Sequence, residues 1–449
     1  MSDLRRTLPG ARDLLALAAA NPRRYPCLLE SVAEGANARY DILFAFPGDS
    51  IALAADGRVR DADGNERGTD FLDALDCEWR NARVTSGSDL PFCGGWALFL
   101  GYELAAQIEP GMGFPPAAGA RIPVALALRC PAAIITDRNA RTTHLVAEAE
   151  QAGLLEQLAR DLESTPDFAP ASFAVADVDE DDAQRFLDGV ARIRDHLRNG
   201  DTYQINLSRE WRLHCAGTPS AAELYASLRR ANPAPFAGLL QWDDWAIASS
   251  SPERLVEVRD GVAQTRPIAG TRPRHAGDDD ATRKGELIAH PKERAEHVML
   301  VDLERNDLGR ICVPGSVAVD ELMTVESYAH VHHIVSNVRG RLRADATPRE
   351  VIRAVFPGGT ITGCPKVRSM RIIAELEAGG RGAYTGALGY LDRNGNMDLN
   401  ILIRTLTLRA GHIRLRAGAG IVADSIAEHE LAETRAKARG LLRACGADA

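Results

Sequence analysis

Residues Lys292–Arg310 read Lys-Glu-Arg-Ala-Glu-His-Val-Met-Leu-Val-Asp-Leu-Glu-Arg-Asn-Asp-Leu-Gly-Arg, and this segment is the best guide to the architecture of the chain. Glu293 and Glu296 lie three residues apart, which places both carboxylates on one face of a helix. A second pair with the same spacing, Glu430 and Glu433, lies near the C-terminus. Two such helices can together bind a hard divalent cation, and Mg²⁺ is the best candidate. Two solvated helix faces are the alternative.

The composition is typical of a soluble globular protein. The chain has 449 residues, of which 45% are hydrophobic and 26% are charged, and this length predicts two or three domains. The net charge of −9 argues against a nucleic-acid or membrane partner, because Lys and Arg dominate affinity for both. There is no signal-peptide pattern, no long apolar run and no Cys-x-x-Cys pair among the eight cysteines, so we expect a cytoplasmic protein with free thiols.

The order of the elements predicts a layered α+β fold, because strands come in runs with helices between them. We expect a strand-rich N-terminal region over residues 1–165, a linker over 166–182 with a dense acidic end, and a catalytic region over 183–449. Hydrophobic periodicity predicts helices at 154–162, 182–199, 286–300, 348–356, 366–377 and 426–442, and strands at 203–208, 236–240, 245–249, 255–258, 386–391, 399–408 and 412–417.

Three motifs carry candidate chemistry. Glu253 follows an apolar strand and could be a general acid if burial raises its pKa, although a surface turn is an equal alternative. The glycine-rich segments 358–368 and 417–421 could direct backbone N–H groups at an anion, although each could also be an ordinary tight turn. His332 and His333 lack a third ligand at a zinc-binding spacing, which argues against zinc.

Taken together, the motifs resemble those of the chorismate-utilising enzymes, which include anthranilate synthase component I, aminodeoxychorismate synthase component I and isochorismate synthase. The resemblance covers roughly residues 180–445 and implies two packed, mainly antiparallel sheets flanked by helices in an α/β/β/α arrangement. The motifs that carry it occur in the family's order at 203–208, 251–254, 267–274, 295–310, 332–336, 358–370, 386–391, 403–405, 418–425 and 433–437.

Position 204 bears on the branch of the family. Water-adding members carry a lysine there as a base, whereas this chain has Gln204, which cannot act as a base near neutral pH. The resemblance therefore implies an amine-adding enzyme, with 4-amino-4-deoxychorismate, the precursor of p-aminobenzoate and folate, as the expected product. Ala269 departs from the lysine that many members of that branch carry as a nucleophile for chorismate C2. Anthranilate formation for tryptophan biosynthesis is the first alternative, and an isochorismate synthase or a non-catalytic subunit that binds an amidotransferase are others.

The resemblance also implies roles for individual residues. Glu296 and Glu433 would hold Mg²⁺ directly, with Glu293 and Glu430 behind them through water. Glu253 would protonate the departing C4 hydroxyl of chorismate while ammonia enters at C2, assisted by Gln204. His333 matches a family histidine tied to pyruvate elimination. The expected substrate-binding residues are Arg404, Lys437, Tyr390, Gly418, Ala419, Gly420, Gly270 and Thr271.

Two further expectations concern partners and regulation. No glutaminase motif is recognisable, so the resemblance implies that a separate glutamine amidotransferase subunit supplies ammonia and forms a heterodimer. The segment around Ser31 resembles the family segment that binds tryptophan, with an ordinary edge strand as the alternative.

Overall fold

The computed structural model describes residues 3–33, 39–85, 88–115, 122–273, 285, 291–327 and 331–447, without the side chains of 271–273, 291–293 and 331. The predicted roles of Thr271 and Glu293 depend on side chains outside this part. The helices are α1 (Leu15–Ala20), α2 (Phe71–Ala82), α3 (Ala105–Ile108), α4 (Gly153–Ser164), α5 (Ala183–Arg198), α6 (Ala221–Ala231), α7 (Pro291–Gly309), α8 (Pro348–Val355), α9 (Lys366–Leu376) and α10 (Ala427–Ala444).

The strands alternate with these helices in short runs. They are β1 (Asp3–Pro9), β2 (Cys27–Glu30), β3 (Tyr40–Ala45), β4 (Ser50–Leu53), β5 (Val59–Asp61), β6 (Glu66–Gly68), β7 (Gly95–Leu100), β8 (Ala125–Cys130), β9 (Ala132–Asp137), β10 (Thr142–Glu148), β11 (Val175–Glu180), β12 (Gln204–Cys215), β13 (Phe236–Trp242), β14 (Trp245–Ser251), β15 (Arg254–Arg259), β16 (Val262–Thr265), β17 (Ile268–Pro273), β18 (Ala318–Ser327), β19 (Val331–Arg341), β20 (Gly363–Cys364), β21 (Ala387–Asp392), β22 (Met397–Asn400), β23 (Thr405–Arg409) and β24 (His412–Ile421).

In the described residues these strands form two antiparallel sheets. The first has the order β1-β10-β9-β3-β2-β13-β14-β23-β24-β12-β11, with β20 beside β12. The second has the order β17-β19-β16-β15-β22-β21-β7-β8-β4-β5-β6, with β18 beside β19. Both sheets contain strands from before and after residues 166–182, so the N-terminal region completes the sheets of the catalytic region. The domain boundary itself stays a prediction.

Side chains that alternate along a strand pack into different hydrophobic cores on the two faces of its sheet. In β7, Trp96, Leu98 and Leu100 pack in the core beneath α2 and α8, whereas Ala97 and Phe99 pack in the core between the sheets. The outer face of the first sheet is covered by α1, α4, α6 and α10 through a further core. The predicted α/β/β/α layering is confirmed.

Several local predictions differ from the structure. The helix predicted at 286–300 continues to Gly309 in α7, and residues 286–290 lie outside the described part of the chain. The predicted strand 399–408 is split into β22 and β23, because Arg404 adopts a left-handed backbone conformation with φ of 52°. Part of the predicted linker forms the edge strand β11, held against β12 by ion pairs from Arg212 to Asp179 and Asp181 at 2.8 and 2.6 Å. Among the described residues, no helix has the length and apolar character needed to cross a membrane.

Candidate active site

Strands β12 and β24 form one side of the candidate site. They pair in antiparallel register, with Asn206 opposite Gly420 and Ser208 opposite Gly418. Residues 417–421, predicted as a turn, belong to β24. On its other edge β24 pairs with β23 only as far as Leu415 within the described part of the chain. The backbone of Gly418–Gly420 therefore has one edge available to a ligand.

Both glycines are required by close packing. A Cβ at Gly420 would lie 2.5 Å from Nε2 of Gln204, and a Cβ at Gly418 would lie 2.6 Å from Oδ1 of Asn206. The same Cβ at Gly418 would lie 2.9 Å from the hydroxyl oxygen of Tyr384. The glycines thus allow the Gln204, Asn206 and Tyr384 side chains to reach this strand. Ala419 between them is fully buried against the opposite face.

Lys437 joins α10 to the same strand. Its Nζ lies 2.9 Å from the carbonyl oxygen of Gly418 and 2.7 Å from Oε1 of Glu433 one turn earlier. The carboxylate of Glu433 is about half exposed. The predicted cation and one predicted metal ligand therefore lie together at the open edge of β24.

Glu296 approaches this region from α7. Nε2 of Gln204 donates a hydrogen bond to Oε1 of Glu296 at 2.7 Å. Oε1 of Gln204 is buried without a hydrogen-bond partner in the described part of the chain. Glu296 and Glu433 thus both reach the short stretch Gly418–Gly420, one through Gln204 and the other through Lys437.

The carboxylates of Glu296 and Glu433 are suitable ligands for magnesium, because Mg²⁺ prefers oxygen ligands. However, the described residues contain no group of three or more Asp, Glu, His or Cys side chains arranged to hold a metal ion. The side chain of Glu293 lies outside those residues. Glu430 lies on α10 one turn before Glu433. The metal site remains a prediction.

Glu253 is a buried acid at the end of β14. Its side chain is 6% exposed, and its backbone carbonyl accepts a hydrogen bond from the N–H of Ile401 at 3.0 Å. Burial raises the pKa of Glu253 to about 7, although the Thr360 hydroxyl, the Ile268 N–H and the charge of Lys437 oppose the rise. Glu253 therefore exchanges its proton near neutral pH, and the alternative of a surface turn is excluded.

Arg404 and His333 form the neighbouring wall. Arg404 is half-buried, no carboxylate pairs with it in the described part of the chain, and burial lowers its pKa. Burial and the charge of Arg404 lower the pKa of His333 to about 4, while a hydrogen bond to the carbonyl of Gly270 opposes this shift. Gly270 provides that carbonyl from a bulge in β17 with φ of 68°. His333 is thus neutral at physiological pH.

The structure places Tyr390 elsewhere. It lines a second cavity of about 450 Å³ together with Ser31, Phe236, Arg254 and Asp398. Its ring packs against Phe44 and Phe92 in the core between the sheets, with ring centroids 6.1 and 5.8 Å away.

Sequence reasoning missed Tyr384 and Thr360. Tyr384 is the tyrosine whose hydroxyl reaches Gly418, and burial raises its pKa to about 12. Thr360 lies in a 3₁₀ turn beside Glu253. The segment Ala383–Tyr390 contains two tyrosines, and the close approach of the Tyr384 hydroxyl to Gly418 shows which of them faces the site.

Comparison with known proteins agrees with this geometry. The profile of the chorismate binding enzymes matches residues 28–443. The chain belongs to this family. It is 46% identical over 260 residues to aminodeoxychorismate synthase component 1 of Bacillus subtilis, which covers 58% of this chain and 55% of that protein. It is also 38% identical over 419 residues to aminodeoxychorismate synthase component 1 of Klebsiella aerogenes, covering 91% of each.

The fold also matches a solved structure. Anthranilate synthase component I from Streptococcus pneumoniae TIGR4 superposes with a TM-score of 0.81 at 33% identity, covering 91% of this chain and 93% of that one. The architecture is therefore that of a relative named anthranilate synthase component I, and the chain is a chorismate-binding enzyme.

Proposed function

We propose that the chain aminates chorismate with ammonia supplied by a separate glutamine amidotransferase subunit. Two observations carry the proposal: Glu253 is a buried acid, and Arg404, whose backbone carbonyl accepts a hydrogen bond from Ser250 of β14, has no carboxylate partner in the described residues. Chorismate brings two carboxylates and a hydroxyl that must leave as water. The site offers one group for each need.

Glu253 would act as the general acid. Hydroxide is a poor leaving group, so the C4 hydroxyl must gain a proton as its bond to carbon breaks. A carboxyl whose pKa is about 7 is still protonated in a useful fraction near neutral pH and can give that proton up readily. The hydrogen bonds to the Glu253 backbone fix its direction.

Arg404 and the β24 edge would hold the carboxylates. Arg404 can bind one carboxylate through two parallel hydrogen bonds, and no carboxylate occupies that fork among the residues that the structure describes. Lys437 and the Gly418–Gly420 backbone supply a second anion-binding edge. The hydroxyl of Tyr384 lies at the same edge.

Mg²⁺ is the proposed cofactor, held by Glu296 and Glu433 with Glu293 and Glu430 behind them. When bound, the ion would balance the carboxylates of protein and substrate. Titration calorimetry of chorismate with and without Mg²⁺ tests this: the wild type should bind more tightly with the ion, and Glu296→Ala plus Glu433→Ala should lose the difference. Glu428→Ala, an exposed change on the same helix, is the control. An unchanged Mg²⁺ effect in the double variant would remove these residues from the metal site.

The ammonia supply is tested with the isolated chain. We expect turnover of chorismate with ammonium chloride and none with glutamine alone, because glutamine would need a partner subunit to release ammonia. Glutamine-dependent turnover by the isolated chain would contradict the partner proposal.

Gln204 would orient Glu296 and would not act as a base.

For the product we propose 4-amino-4-deoxychorismate, supported by the motif resemblance and by the near full-length match to the Klebsiella aerogenes enzyme. Ala269 favours a second candidate, anthranilate. A buried alanine cannot serve as a transient nucleophile at C2, so ammonia itself enters there as the C4 hydroxyl leaves. To form 4-amino-4-deoxychorismate, a second ammonia must then bond to C4 while the first leaves C2 as ammonia; without this second displacement the product is anthranilate. Mass spectrometry separates the two products, since anthranilate has lost pyruvate.

The second cavity is a proposed site for tryptophan. Ser31 lines it together with the aromatic rings of Tyr390 and Phe236, and Arg254 and Asp398 supply opposite charges 2.8 Å apart. An indole ring and a zwitterionic amino acid group match this lining.

A further inference from the structure

Behind Glu253 lies a second group of buried ionisable side chains. Glu304 and Asp307 lie one turn apart on α7 and are 7% and 2% exposed. Nζ of Lys366, the first residue of α9, lies 2.5 Å from Oδ2 of Asp307. Two buried carboxyls thus lie beside a single buried ammonium group. The proposed function gives none of the three a role.

This group reaches Glu253 through one short loop. A Cβ at Gly359 would lie 2.3 Å from Cδ2 of Leu303 and 3.6 Å from Oε1 of Glu304, so the Glu304 carboxyl packs against this backbone. The next residue, Thr360, lies beside the carboxyl of Glu253, and its buried hydroxyl forms no hydrogen bond within the described residues. The two acids therefore lie on opposite sides of the same turn, within electrostatic reach of each other.

The group reaches solvent on its other side. Asp307 and Lys366 line a cavity of about 690 Å³ whose wall includes Tyr203 and Val298. Tyr203 is 70% exposed, whereas the next residue, Gln204, turns its side chain to Glu296 in the candidate active site. Water in this cavity can therefore reach Asp307 directly.

The charges around Glu304 and Asp307 favour a state in which one of these two carboxyls stays protonated. Glu304 faces Asp307, Lys366, the Thr265 hydroxyl and Glu253, while Asp307 also faces Arg310 and Asn306. Burial raises the pKa of both Glu304 and Asp307, and the charge of Asp307 raises the pKa of Glu304 further. A second negative charge beside one lysine is unfavourable in this buried place, so the pair keeps one proton near neutral pH.

We propose that Glu304 returns a proton to Glu253 after each turnover, and that Asp307 and Lys366 replace the proton of Glu304 from the adjoining cavity. Glu304 acts through Glu253 and touches no substrate, so it is a positioning and proton-supplying residue. The proposal rests on the proposed amination of chorismate.

The protons balance over one cycle. The O–H bond of Glu253 breaks and its proton leaves with the C4 hydroxyl as water. The O–H bond of Glu304 then breaks and a new O–H bond forms on Glu253, which leaves the carboxyl pair without a proton. Asp307, held by Lys366, next takes a proton from cavity water and passes it to Glu304, and the hydroxide that remains is neutralised by the proton that the new amine releases. The amine formed from ammonia releases one proton to solvent. No electrons are exchanged with an oxidant or reductant.

The first test is the pH profile of Glu304→Gln with saturating ammonium. The amide keeps the shape of the carboxyl but cannot pass its proton. We expect kcat to fall about tenfold at about pH 8.5, where protons are scarce, and less than about threefold at about pH 6, with KM for chorismate unchanged. Glu304→Asp should recover most of the loss. Asp302→Asn, which changes an exposed residue of α7 on the same cavity, should have no effect.

The alternative outcomes are distinct. A pH-independent loss in Glu304→Gln would indicate a purely structural role, and an unchanged profile would also overturn the proposal. Infrared spectra give a second readout without turnover: the wild type near neutral pH should show a protonated-carboxyl band of Glu304 beside that of Glu253, and this band should be lost in Glu304→Gln but kept in Glu253→Gln and Asp302→Asn. Absence of this band in the wild type would overturn the proposal. A wild type that fails to aminate chorismate but shows the band would contradict the proposed function alone.

Discussion

Nε2 of Gln204 and Oε1 of Glu296 lie 2.7 Å apart, which joins the first residue of β12 to the acidic face of α7. The bond is charge-assisted, and it sets where the Glu296 carboxylate points. At this position the side chain orients a neighbouring acid and has no basic function of its own.

Gln204→Ala should therefore lower kcat/KM for chorismate about tenfold, the effect of losing one hydrogen bond to a charged group. Steady-state kinetics with ammonium measures this. Gln184→Ala removes an exposed amide that bonds Asp188 on α5 and serves as the control. If the two variants behaved alike, Gln204 would have no orienting role.

Glu253→Gln should lower kcat for ammonium-dependent turnover by about 10²-fold or more, because the amide cannot donate a proton to the leaving hydroxyl. Chorismate affinity should change little, since the shape of the side chain is kept. Retention of most of the activity would show that another group is the acid.

The same substitution should change how stability depends on pH. The folded protein raises the pKa of Glu253 from 4.5 to about 7, so its contribution to stability is present below about pH 4.5 and is lost as pH rises through about 7. In Glu253→Gln, this loss of stability with rising pH is absent. Its free energy of unfolding, compared with that of the wild type, should rise by about 2 kcal/mol between about pH 5 and 8 in urea titrations. A constant difference would mean that Glu253 is not a buried titrating acid.

Arg404→Met should weaken chorismate binding at least about tenfold without lowering the melting temperature. The reason is that Arg404 has no carboxylate partner among the described residues, so its removal leaves no buried acid unpaired. Arg305→Met on the exposed face of α7 is the matched control. Unchanged affinity in Arg404→Met would exclude it from carboxylate recognition.

Tryptophan at about a hundredfold excess over its Kd should stabilise the wild type by about 2.7 kcal/mol, visible as a raised melting temperature. Ser31→Ala should reduce this shift, because Ser31 lines the second cavity. Ser316→Ala, in a turn near Val313, should leave it unchanged. The absence of any shift in the wild type would favour an ordinary structural role for this strand.

The sequence predicted most elements because local signals and packing agree. The helix expected at 182–199 is α5, with the Asp182 side chain accepting a hydrogen bond from the N–H of Gln184 at its start. Strand 399–408 could not be predicted correctly, since nothing local distinguishes Arg404, whose left-handed conformation divides it.

The charged residues of the site could be predicted from the sequence, but the residues that pack around them could not. Glu253 and Arg404 lie in recognisable motifs, whereas the sequence does not show that Tyr384 approaches Gly418 while Tyr390, in β21, lines the second cavity. The burial of Glu304 could not be predicted either, because the charged sequence of α7 is typical of a solvated helix face. Only the contact with α9 in the folded chain shows that this part of α7 is buried.

The central claim is amination of chorismate, and mass spectrometry of the product tests it most directly. The purified chain is incubated with chorismate, Mg²⁺ and nitrogen-15 ammonium, beside Glu253→Gln. The account predicts one labelled nitrogen in the wild-type product, with the pyruvyl group retained in aminodeoxychorismate or lost in anthranilate, and little product from the variant. A nitrogen-free isomer of chorismate, or equal product from both proteins, would contradict it.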